Sequence, residues 1–135
     1  MALELSYQIN QPVSLVFESL TNMQKFVSVH PIIFKIEPLE NNKYLIHERL
    51  KVVFIPFSFT YVATVVGDKE KGLITIKATV FKLTKIEMQF QLKEKNSQTF
   101  VSETVNFKSP LPVETIMKSV FKKQHQLLFQ NINQL

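Results

Sequence analysis

Cysteine is absent from this 135-residue chain, which excludes disulfides, a thiolate nucleophile and every cysteine-ligated metal site. The only two glycines, Gly67 and Gly72, leave no room for a glycine-rich phosphate loop or a dinucleotide fingerprint, and no Ser-His-Asp spacing is present. The longest unbroken apolar run, Val52 to Phe57, is far shorter than the roughly 20 residues of a membrane-crossing helix. Met1 to Tyr7 lacks the basic start and apolar run of a signal peptide, so a cytoplasmic location is the expectation. Tryptophan is missing as well, whereas phenylalanine occurs 12 times. An interior built from so many phenylalanines and so few polar groups suits a packed core or an apolar ligand.

Hydrophobic content of 45% and charged content of 20% fit one globular domain over residues 1–135, enough to bury about two thirds of its surface. The net charge of +5 comes from 16 lysines and arginines spread along the chain, as at Lys82, Lys85, Lys93 and Lys95. Only Lys118, Lys122 and Lys123 form a local cluster. With no RNA- or DNA-binding motif beside them they read as a solubilising face, so no nucleic-acid partner is expected; transient contact with an anionic membrane stays open.

Residues 2–9 alternate loosely as a strand. Asn10, Gln11 and Pro12 then supply helix-starting chemistry for Val13, Val16, Phe17 and Leu20 at helical spacing. Thr21 and Asn22 end that helix, and Met23 to Val29 form a second short one, broken by His30-Pro31. Strands are expected near 33–39, 43–54, 57–66, 73–81, 84–94 and 99–108. Asn41-Asn42, Gly67 to Gly72 and Lys95-Asn96-Ser97 supply turns, whereas Phe81 to Leu83 contains no turn former. Six strands with short connections make an antiparallel meander, which the first strand joins at one edge.

One long amphipathic helix closes the chain, from Pro112 to Leu135, roughly 36 Å if fully helical. Val113, Ile116, Met117, Val120, Phe121, Leu127, Leu128, Ile132 and Leu135 project onto one apolar face. Gln124 and Asn131 interrupt it, where a dry core would prefer carbon and a cavity would offer them a ligand. Phe129 falls off the stripe, as an exposed aromatic or a dimer contact, which leaves monomer and homodimer both open.

Strand alternation assigns faces. Ile74, Ile76, Ala78 and Val80 share one, with Ile86, Met88, Phe90 and Leu92, and with Phe57, Phe59, Tyr61, Ala63 and Val65. Glu48 keeps phase with Tyr44, Ile46 and Leu50, and Glu103 with Val101, Val105 and Phe107. Two inward carboxylates would hold a ligand hydroxyl or act as acid and base; the alternative is a rim position beside a cross-strand lysine. His30, His47 and His125 have no metal-ligand spacing, so neither metal nor cofactor is expected, and His125 falls at the edge of the helix's apolar face.

The order strand, two short helices, meander and long helix resembles the START-like helix-grip (SRPBCC) superfamily, with its polyketide cyclase/dehydrase and lipid-transport members. Local echoes are Ile9-Asn10-Gln11-Pro12-Val13 with Val16-Phe17 and Leu20-Thr21, then Phe26 and His30-Pro31. Glu103-Thr104-Val105-Asn106-Phe107 leading into Ser109-Pro110-Leu111-Pro112 is a third. The resemblance implies an α+β fold, a curved antiparallel sheet of about seven strands wrapped around the last helix, with a cavity between them. His30 would lie at its mouth, with Phe26, Glu48, Leu50, Phe57, Phe59, Tyr61, Ile76, Met88 and Phe90 along its walls. Glu103, Val105, Met117, Val120 and Gln124 complete the expected lining.

The partner expected is a hydrophobic small molecule or lipid. One alternative is a cyclase- or dehydratase-like enzyme, with Glu48, Glu103 or His30 moving protons. Another is an interaction module similar to ribosome-associated or coenzyme-Q-binding members, working through Lys118, Lys122 and Lys123.

Overall fold

The computed structural model describes residues 2–52 and 55–135. Val53 and Phe54, which end the strand expected at 43–54, lie outside the described residues. The chain runs β1 (Ala2–Ile9), α1 (Val13–Thr21), α2 (Met23–Val29), β2 (Ile33–Pro38), β3 (Lys43–Val52) and β4 (Ile55–Asp68). It continues through β5 (Leu73–Val80), β6 (Thr84–Lys95), β7 (Gln98–Lys108) and α3 (Glu114–Asn133). All seven strands pair antiparallel in one open sheet, ordered β1-β7-β6-β5-β4-β3-β2, so the meander takes β1 at one edge as its pattern requires. This is the α+β architecture expected, two short helices after the first strand included.

Local chemistry places the short helices. The Glu94 carboxylate at the end of β6 accepts from the backbone N–H of Val13 at 3.0 Å, serving α1 as a cap borrowed from the sheet. Asn22 accepts from the N–H groups of Gln24 and Lys25 and so starts α2 where α1 stops. Gly67 lets α1 lie close on β4, because a Cβ there would come within 2.9 Å of the Phe17 ring.

Turn geometry explains the boundary that carried no turn former. Asn41-Asn42 and Asn96-Ser97 adopt paired left-handed backbone, as their residue types favour, but so do Phe81 (φ 54°) and Lys82 (φ 63°). The register of β5 against β6, Val80 opposite Thr84, forces the turn on residues that dislike it.

The last helix departs from its projected face. Gln124, His125, Leu128, Phe129 and Ile132 are buried, while Ile116 is 67% exposed and Leu127 and Leu135 are also exposed. Phe129, expected off the stripe, is 1% exposed and stacks on Tyr7 of β1 with ring centroids 4.4 Å apart. A single projected stripe assumes one partner along the whole helix. Here the C-terminal half is clamped by β1 and by α2, whose Val29 carbonyl accepts from the Asn131 amide at 2.8 Å, and the N-terminal half overhangs open space. Asn131 thus spends its amide on backbone.

Replacing Lys82 with glycine should relieve the left-handed backbone and raise stability by roughly 0.5 to 1 kcal/mol, read as a higher denaturant midpoint with unchanged slope.

Candidate functional site

Between the sheet, α2 and the overhanging half of α3 lies a cavity of about 270 Å³ with an almost wholly apolar wall. From β3 and β4 it receives Glu48, Leu50, Phe59 and Tyr61; from β5 and β6, Ile76, Met88 and Phe90. Phe26 and His30 come from α2 and its end, and Met117, Val120 and Gln124 from α3. Two small side chains, Ala63 and Ala78, leave space at the middle of the sheet.

Three residues expected in the lining are elsewhere. Phe57 keeps the inward phase but sits beyond the cavity near the strand end, 44% exposed, its ring 5.7 Å from Phe59 and 6.1 Å from Phe81. Val105 is wholly buried in a separate cluster with Val80, Ile86 and Phe107. Glu103 does point inward, yet it lies behind the wall, where its carboxylate approaches the His125 Nδ1 at 2.5 Å. That approach is off the ring-nitrogen hydrogen-bond direction, and among the described residues no other polar group reaches either carboxylate oxygen.

His125, which helical projection put at the edge of the apolar face, instead lines the cavity and is 4% exposed. The signal that would have found it is the inward phase of Glu103: a carboxylate facing the interior needs a partner, and His125 is the polar side chain that the covering helix brings there. Phe81, Leu111 and Ile116 were also missed; they line the mouth and are exposed, Phe81 at 57% with its ring 5.0 Å from that of Phe59.

Polar side chains interrupt this apolar space at His30, Glu48, Tyr61, Thr84, Gln124 and His125. Tyr61 donates its hydroxyl to the Glu48 carboxylate, a diagonal pair on neighbouring strands. Burial pushes the Glu48 carboxyl up, against the opposing pull of the Tyr61 hydroxyl and of His125. Burial first, and Glu48 second, raise the Tyr61 hydroxyl well above its usual range. His30 accepts from the backbone N–H groups of Ile32 (3.2 Å) and Ile33 (3.1 Å) through Nδ1. Burial, with His125 nearby, lowers its pKa from 6.5 to about 3. The ring is therefore neutral near pH 7, and its proton resides on Nε2.

His47, by contrast, pairs with Glu37 at 2.8 Å on the half-exposed side of the sheet, away from the cavity. Among the described residues no group of three or more histidine, aspartate or glutamate side chains has the arrangement of a metal site. No described helix is long and apolar enough to cross a membrane.

No family model matches the chain, and no curated protein does. Solved structures do match in shape. A conserved protein from Geobacillus kaustophilus is 13% identical, with 99% of this chain and 93% of the other covered and a TM-score of 0.81. A START superfamily protein from Mycobacterium smegmatis is 10% identical over 98% and 94%, TM-score 0.78. The Zhui aromatase/cyclase from a Streptomyces species is 14% identical over 98% and 91%, TM-score 0.76. The chain has the START-like helix-grip fold, and at these identities the likeness is one of fold.

The neutral His30 makes stability depend on pH with a definite sign. Its folded pKa lies below the unfolded value, so between 6.5 and about 3 the unfolded chain binds the extra proton and stability falls as pH drops. Denaturant midpoints measured at pH 7 and pH 5 should therefore differ more for the native protein than for a His30→Gln variant, which carries no titrating ring.

Proposed function

We propose that this protein binds a hydrophobic small molecule or lipid between its sheet and α3, and sequesters or delivers it. One observation supports this above the rest: the wall is almost entirely carbon, interrupted by only a few polar side chains, of which Tyr61 and Glu48 are hydrogen-bonded to each other. Affinity would come from apolar area at about 25 cal/mol per Å², and orientation from His30, Glu48, Tyr61 and Gln124.

The exposed side chains of Phe81, Leu111 and Ile116 at the mouth, with exposed Phe57 beyond them, support exchange of an apolar cargo, and brief contact with a membrane during loading. Overhang of the N-terminal half of α3 gives that cargo a route that leaves the clamped half in place. A second reading, proton-transfer chemistry of the cyclase or dehydratase kind in the same cavity, is favoured by the His125 ring at the wall with the Glu103 carboxylate behind it.

Filling the cavity tests the binding reading. Ala78→Phe should keep the fold, read by circular dichroism, while cutting affinity for naphthalene at least tenfold. Native mass spectrometry followed by organic extraction of the purified protein should release an apolar molecule from the native chain and not from the variant. Unchanged naphthalene affinity in a folded Ala78→Phe protein would remove the cavity from the account.

A further inference from the structure

Antiparallel pairing puts the start of β4, the β5–β6 turn and the end of β7 at one end of the sheet. Exposed apolar side chains collect there and at the start of α3: Ile55, Phe57, Phe81, Leu83, Leu111 and Ile116. Phe81, Leu111 and Ile116 border the cavity mouth, and the Phe57 ring lies 6.1 Å from that of Phe81. Water-facing carbon gathered in this way marks a surface that a partner covers.

The same end is basic. Residues 80–86 and 107–116 carry three lysines, Lys82, Lys85 and Lys108, against one carboxylate, Glu114, and residues 49–58 add Arg49 and Lys51 with no carboxylate. Lys82 stands between Phe81 and Leu83 in the turn, and Lys85 is directly opposite Lys108 in the ladder. Lys51, Lys82, Lys85 and Lys108 are all exposed, and among the described residues none is within ion-pair distance of a carboxylate. Opposed lysines repel one another, a cost that an anion beside them removes.

We propose that this end docks on an anionic lipid bilayer, with Phe81, Leu83, Leu111 and Ile116 set into the interface and Lys82, Lys85 and Lys108 on the charged headgroups. As a loading surface it rests on the binding reading, because it surrounds the mouth through which cargo would pass. Carbon flanked by cations matches a bilayer, which offers an apolar layer directly beneath an anionic one. A second copy of this chain matches poorly, since a two-fold contact through this end would bring like-charged surfaces together.

Co-sedimentation of the full chain with phosphatidylcholine vesicles, prepared with and without phosphatidylserine, tests the proposal. Binding should be about tenfold tighter where phosphatidylserine is present, and raised salt should weaken it. Joint replacement Lys85→Gln and Lys108→Gln should lower that binding about tenfold, and Leu83→Ser should lower it several-fold. None of these three residues lines the cavity, so naphthalene affinity measured by calorimetry should stay as it was.

Equal binding with and without phosphatidylserine, or no binding to either vesicle, would overturn the proposal, and naphthalene uptake in the same protein would leave the binding reading standing. Undiminished vesicle binding by the Lys85→Gln, Lys108→Gln protein would also overturn it, since another face would then make the contact. A vesicle-free dimer that Leu83→Ser returns to monomer would assign this end to a second copy instead. Vesicle binding by a native protein that takes up no naphthalene would remove the binding reading alone.

Discussion

A carboxylate sealed from water with a single close polar neighbour is the constraint on which this structure turns. Glu103 sits in the middle of β7, flanked in register by Leu5 of β1 and Phe90 of β6, and its oxygens meet only the His125 ring among the described residues. Taking such a group out of water costs several kcal/mol, and removing its partner leaves that cost uncompensated. The contact therefore holds α3 in one rotational setting over the sheet. From that setting follow the burial of Phe129 against Tyr7, the reach of Asn131 to the α2 backbone and the presentation of Gln124 to the cavity.

Strand order and the two short helices were legible because each rests on local chemistry. Alternation runs unbroken through β5, β6 and β7, asparagines occupy the left-handed turns at 41–42 and 96, and Asn22 caps α2. Phe81-Lys82 was opaque for the converse reason, since pairing on either side imposes a backbone those residues do not prefer. The inward phase of Glu48 and Glu103 was also visible. Whether a given inward residue meets empty space or another side chain depends on how far α3 stands from the sheet, and period-2 alternation carries no information about that distance.

Helix rotation was the larger difference. A projection weights every turn equally, yet the apolar residues of the first turns, Ile116 among them, face the mouth and solvent, while the core takes Gln124 and His125 in place of Leu127. Two polar side chains won buried positions over a leucine because one faces a cavity and the other faces Glu103. A hydrophobicity scale records neither circumstance.

The unequal anchoring of α3 also sets where the molecule opens. Its last turns are fastened by an aromatic stack, a side-chain bond to the α2 backbone and bonds from Gln11 to the carbonyls of Asn133 and Leu135; its first turns border the void. Resistance to local unfolding must then climb along the helix, from its weakest at the end that follows Pro112 to its strongest near Ile132. Amide hydrogens along this one helix would register that climb as a gradient of exchange rates. Fluctuations that admit solvent or cargo would be confined to its first turns, with the seven-stranded sheet and the C-terminal anchor undisturbed.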